Sequence, residues 1–129
     1  MTLVVDSSVI LAAMLDERSG GALYEPGQLL NLSVVNLAEV HTDLVERGSS
    51  VEDVNSFFPR LPLRIRAFRD VDAERTGRLR AVTRHLGLSL GDRACLSLAK
   101  LTNLPVLTAD QRWAELDIGV EVRLIRERS

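Results

Sequence analysis

The sequence has little with which to cross-link itself or to act as a nucleophile. One cysteine, Cys95, stands among 129 residues, so no internal disulfide can form and a reducing, cytoplasmic setting is expected. Its place in the apolar pattern of a helix, with no base beside it, makes it a core residue. The two histidines, His41 and His85, have no Cys or second His at ligand spacing, which excludes the common zinc patterns. Lys100 is the only lysine, and no G-x-x-x-x-G-K-[ST] loop is present, so a P-loop nucleotide site is absent. A net charge of −2 gives no basic footprint for nucleic acid. The opening "MTLVVDSSVILAAML" lacks a basic leader and is interrupted by Asp6, so it reads as a strand and a helix, neither a signal peptide nor a membrane span.

What is present fits one compact domain over residues 1–129: 46% of residues are hydrophobic and 26% are charged. "TLVVD" predicts a strand ending at Asp6, and the helix after it carries Val9, Ala12, Ala13 and Asp16 on one face, with Gly20-Gly21 as its stop. "LLNLSVV" predicts a buried strand ending before Asn36. "NLAEVHTDLVERG" predicts a helix with Leu37, Val40 and Leu44 inward and Gly48 as its stop. A capped helix ending near Pro59 follows, and then "LPLRIRAF", where Leu63 and Ile65 alternate with Arg64 and Arg66 as on a half-buried edge strand. The pattern continues with a helix over 72–85 striped by Leu79, Val82 and Leu86, a helix from Ser89, the strand "PVLT", a turn at "QRWAEL" that Trp113 anchors, and the strand "VEVRLI". Residues 23–28 read as a loop. The alternation predicts an α/β fold with a mostly parallel central sheet of about five short strands flanked by helices.

Four acids fall at comparable junctions: Asp6 after the first strand, Glu39 in the turn after the second, Asp92 opening its helix and Asp110 after "PVLT". In a parallel sheet these junctions share the edge where ligands bind. Three of the acids also have structural uses, since Ser89/Asp92 and Asn36/Glu39 are spaced as capping boxes and Asp110 can cap "QRWAEL". Asp6 is the exception, because Ser7 or Ser8 could cap the first helix. With no His or Lys adjacent in sequence, converging acids would need a cation: two carboxylates about 4 Å apart repel by roughly 4 kcal/mol at an effective dielectric near 20. All-oxygen ligation is the chemistry of Mg²⁺ and Mn²⁺. Both readings, caps and metal cluster, are open at this point.

The blocks "LVVDSSVIL", "NLAEV", "SLGDRACLSLA" and "VLTADQRWAEL", in this order and followed by "VEVRLI", resemble the motifs of PIN-domain ribonucleases, specifically the toxins of bacterial VapBC-type toxin–antitoxin pairs. The likeness spans essentially the whole chain. It implies a PIN-like fold, hydrolysis of RNA phosphodiester bonds in tRNA or rRNA, and an acidic Mg²⁺ site, with Mn²⁺ as substitute, made by Asp6, Glu39, Asp92 and Asp110. Asp6 and Asp92 would be the direct ligands, Glu39 and Asp110 would complete the shell, and Ser8 and Thr108 would support it. It also implies a homodimer and a cognate antitoxin that sets a basic side chain among unpaired acids. Arg93 would be positioned to meet a substrate phosphate. A housekeeping nuclease of the same fold, a domain that has lost catalysis and a receiver-like phosphate-binding domain are the rivals. The last would want a paired acid after the first strand, where this chain has Ser7, and a Lys after a late strand, where it has Gln111.

Overall fold

The first strand, β1 (Thr2–Val5), is buried on both sides, with Leu3 and Val5 facing one way and Val4 the other. A strand covered on both faces belongs in the middle of a parallel sheet, and the computed structural model, which describes residues 1–15 and 27–125, places it there. With β2 (Leu29–Ser33), β3 (Leu63–Arg66), β4 (Val106–Thr108) and β5 (Val122–Leu124), the sheet has the order β3-β2-β1-β4-β5, parallel throughout. Parallel neighbours require crossover connections, and helices supply them.

One face of the sheet packs Leu3, Val5, Leu30 and Leu32 against α1 (Ser7–Leu15), α2 (Val34–Glu46) and α3 (Val51–Phe57). The other packs Val4 and Val106 against α4 (Asp70–Thr83), α5 (Leu90–Thr102) and the 3₁₀ turn Gln111–Glu115, whose Trp113 is fully buried. Gly48 (φ 72°) terminates α2, as its position predicts. Cys95 is buried in the second core, and among the described residues no helix is long and apolar enough to cross a membrane.

Several boundaries and faces differ from the sequence expectation. The apolar pair Val34-Val35 reads as a continuation of β2, but the Ser33 side chain accepts from the Val35 N–H and starts α2 two residues early. Asn36 and Glu39 are therefore both inside the helix, Glu39 in its second turn, and they do not form its capping box. In α1, Val9, Ile10 and Ala13 are buried and Ala12 only half so; Asp16, Gly20-Gly21 and residues 23–26 of the expected loop lie outside the described residues. On β3, Ile65 is exposed while half-buried Arg66 donates to the Asn31 side chain at 3.2 Å, so the expected alternation does not hold on this edge strand.

The helix α4 begins at Asp70 and buries Asp72, Thr76, Leu79 and Thr83, whereas Val82 is 51% exposed. Most of this face is polar, so an apolar stripe does not mark it: Asp72 accepts from the Arg69 main chain (2.9 Å) and the Thr83 hydroxyl donates to the Leu79 carbonyl (2.8 Å). Leu86 packs beside this face only after the chain has tightened into a 3₁₀ turn over Arg84–Leu86.

Two substitutions separate the observed packing from the expected one. Trp113→Ala should destabilise by about 3–5 kcal/mol, and Val82→Ala should change stability by no more than about 0.5 kcal/mol. Denaturant unfolding measures both, and a large loss at Val82 would contradict this orientation of α4.

Candidate active site

Strands β1 and β4 lie side by side at the centre of the sheet, so the residues that follow them meet at its C-terminal edge. Asp6 follows β1 and is only 3% exposed. Each of its oxygens receives a hydroxyl at 2.6 Å, Oδ1 from Ser8 and Oδ2 from Thr108. The Ser8 oxygen in turn accepts from the Ala109 N–H (3.1 Å), and the Thr108 oxygen from the Asp110 N–H (3.0 Å). Asp6 Oδ1 also accepts from the Val9 N–H at 3.3 Å, so Asp6 caps α1 itself and is not free of structural duty as the sequence suggested.

Burial pushes the Asp6 carboxyl above its ordinary range, with Asp92 adding to the rise, against hydrogen bonds from Ser8, Thr108 and Val9 that lower it. The environment combines a site built to receive a negative charge with a desolvation that opposes it.

The second side of the site is formed by α5, which runs antiparallel to the strands and brings its N-terminus to the same edge. Ser89 and Asp92 form the expected capping box, with Ser89 N–H to Asp92 Oδ2 at 2.9 Å and Asp92 N–H to the Ser89 hydroxyl at 3.2 Å. Asp92 Oδ1 makes no hydrogen bond among the described residues. Glu39 reaches across from α2, its Oε1 accepting from Asn36 Nδ2 (2.8 Å) and the Ser7 hydroxyl (3.3 Å). Asn36 Nδ2 also donates to the Gly91 carbonyl at 3.0 Å, which ties α2 to the first turn of α5.

Gly91 is required by this contact. A Cβ there would overlap all three atoms of the Glu39 carboxylate, so glycine lets Glu39 lie against the backbone beside Asp92. Cys95, one turn further on, shows where the charge gathers: burial first, and then Asp6, Asp92 and Glu39, push its thiol well above the usual range. A thiol held protonated in this way is no nucleophile.

Asp110 completes the edge, but it is not unpaired. Arg112 binds it with a planar fork, Nε to Oδ1 at 3.0 Å and Nη2 to Oδ2 at 2.6 Å, and holds its carboxyl below the usual range. The same guanidinium donates Nη1 to the Leu86 carbonyl (2.8 Å) and stands 3.9 Å from Asp92 Oδ2. Arg93 turns to α4, where Nη1 donates to the Thr76 carbonyl at 3.0 Å; its guanidinium holds two helices together. His41 stacks on Phe58 with ring centroids 5.2 Å apart, a packing contact.

The structure thus brings Asp6, Glu39, Asp92 and Asp110 to one edge, with Ser8 and Thr108 behind Asp6. Among the described residues, no three His, Cys, Asp or Glu side chains are grouped closely enough to enclose an ion on their own. An open, all-oxygen edge with a desolvated carboxylate suits a hard cation that keeps several waters and binds through one or two carboxylates.

A family model, the PIN domain, matches residues 3–119. The chain belongs to the PIN domain family. The chain matches no curated protein. Its fold is similar to that of VapBC2 from Rickettsia felis, solved bound to a DNA fragment from their promoter (TM-score 0.71, 18% identity, covering 98% of this chain and 100% of that one). It is also similar to VapBC-5 of Mycobacterium tuberculosis (TM-score 0.65, 24% identity, 98% of each chain) and to VapC20 of the same organism, a sarcin-ricin loop cleaving toxin (TM-score 0.69, 15% identity, 92% and 98%). The five-stranded parallel sheet flanked by helices is the PIN fold.

Sequence reasoning missed Ser7, Asn36, Gly91 and Arg112. Of these, Gly91 carried a signal: a glycine between a cap residue and an apolar run, where alanine would favour the helix by about 1 kcal/mol, implies a close approach. Gly91→Ala should therefore lower the melting temperature despite its better helix propensity. The same change in a Glu39→Ala background should be neutral or stabilising, and thermal melts of the four proteins give the comparison. An equal effect in both backgrounds would show that Glu39 does not lie against Gly91.

Proposed function

We propose that this PIN-domain chain is a divalent-metal-dependent endoribonuclease, the toxin of a type II toxin–antitoxin pair, that hydrolyses phosphodiester bonds in tRNA or rRNA. One observation carries this reading: the buried, hydroxyl-clamped Asp6 shares an edge with Glu39 and Asp92. Several proteins of similar fold are toxins or toxin–antitoxin complexes, and one cleaves the sarcin-ricin loop.

Asp6 and Asp92 are the carboxylates that would hold Mg²⁺ or Mn²⁺, and Asp110 is within reach of the same edge. When bound, the cation would supply Lewis-acid charge at the phosphate and lower the pKa of a nearby water. Ser8 and Thr108 keep both Asp6 oxygens in one orientation. Glu39, fixed through Oε1 by Ser7 and Asn36, leaves Oε2 to orient and deprotonate the attacking water. Attack in line at phosphorus expels the ribose oxygen, which leaves with a proton from solvent. No side-chain nucleophile takes part, and Arg93, engaged with Thr76, is not among the substrate contacts.

A groove of about 480 Å³ lies between α2 and the start of α5, lined by Ser7, Val35, Ala38, Glu39, Asp43 and Leu90. Its acids and the exposed Val34 and Leu90 suit an antitoxin segment that sets a basic side chain beside apolar ones. The same reading has the chain act as a homodimer in the cytoplasm, as its resemblance to VapBC-type toxins implies.

Cleavage of purified tRNA and rRNA fragments with Mg²⁺, Mn²⁺ or EDTA tests the activity. Specific cuts that require metal are expected, with Asp6→Asn and Asp92→Asn at least about 100-fold slower, the scale of a lost catalytic carboxylate. Asp92→Asn should remain folded, since a weakened cap costs only about 1 kcal/mol. Cleavage that persists in EDTA or in both variants would contradict the proposal.

A further inference from the structure

Among the described residues, Arg112 is the only Lys or Arg that pairs with any of the four acids. Its position is built with care. Both Asp110 oxygens are taken by the fork, Nη1 is anchored on the Leu86 carbonyl, and the Asp110 main chain continues into the turn that carries Arg112. The side chain is also 49% exposed, so it can withdraw into solvent without unpacking the core.

Resting on the nuclease reading above, we propose that Arg112 is the resident counter-cation of the acidic edge, which a divalent cation must displace from Asp110 before that carboxylate can join its coordination. A bidentate guanidinium satisfies both oxygens of a carboxylate, and those are the atoms a hard cation needs. Its Nη2, 3.9 Å from Asp92 Oδ2, also places a positive charge beside a second carboxylate that the cation would use. Arg112 therefore relieves repulsion between Asp92 and Asp110 while the edge holds no cation, and it weakens the first capture of one. As a positioning residue it sets how many carboxylates the cation meets.

The test is Mn²⁺ binding to the full chain, followed by the electron paramagnetic resonance of free Mn²⁺, for wild type, Arg112→Gln, Asp110→Asn and the double variant. Arg112→Gln should bind Mn²⁺ about tenfold more tightly, the scale on which a full charge a few ångströms away moves a neighbouring equilibrium. In the Asp110→Asn background most of that gain should vanish, because the two residues act as one unit. Arg112→Lys keeps the charge and loses the fork, so it should fall between wild type and Arg112→Gln; it carries the test if the Gln variant does not fold. Unchanged or weaker Mn²⁺ binding in Arg112→Gln, or a gain undiminished without Asp110, overturns the proposal. Where Mn²⁺ binding depends on Asp6 but not on Arg112, this proposal alone fails; where Asp6→Asn also leaves Mn²⁺ uptake unchanged, the metal-nuclease reading fails with it.

Discussion

The clamp on Asp6 is the interaction on which the site depends. Ser8 and Thr108 each donate to one carboxylate oxygen while accepting from a main-chain N–H of the segment after β4. This arrangement joins the ends of the two central strands and fixes a carboxylate where water is nearly excluded. A buried acid normally neutralises itself by taking up a proton, and burial drives Asp6 that way. Two short hydroxyl bonds and the Val9 N–H oppose that tendency, which leaves the group prepared for a positive partner.

The remaining acids are arranged around this one by different means. Asp92 arrives as part of an ordinary capping box, Glu39 by a glycine that admits it to the backbone of α5, and Asp110 through its own turn and Arg112. Capping and charge clustering are not alternatives here. Asp6, Asp92 and Asp110 all cap a helix or turn, and the caps bring their carboxylates to one edge, because helix starts and strand ends coincide there.

The alternation of short strands and helices, the strand ending before Asp6 and the Ser89–Asp92 box were legible in the sequence because each is a local signal. The start of α2 was not, since Val34 and Val35 are β-branched and read as strand until Ser33 is seen to cap. The inner face of α4 escaped because it is made of Asp72, Thr76 and Thr83, which no apolar periodicity reveals. Arg112 escaped for a different reason: its value comes from Leu86, 26 positions away, and from Asp92, which only the tertiary fold brings near. Family resemblance pointed to the four acids, but neither it nor spacing showed that one of them is already paired.

The most direct measurement is the melting temperature of wild type and Asp6→Asn at pH 4 and pH 7 in EDTA, repeated with Mn²⁺. A carboxyl raised above its ordinary value stabilises the fold fully below that ordinary value, and the contribution is lost as pH rises through the folded one. Asp6→Asn should therefore gain on wild type between pH 4 and pH 7 in EDTA, and Mn²⁺ at pH 7 should raise the melting temperature of wild type much more than that of the variant. A difference that does not change with pH, or equal stabilisation of both proteins by Mn²⁺, would show that Asp6 is only a helix cap.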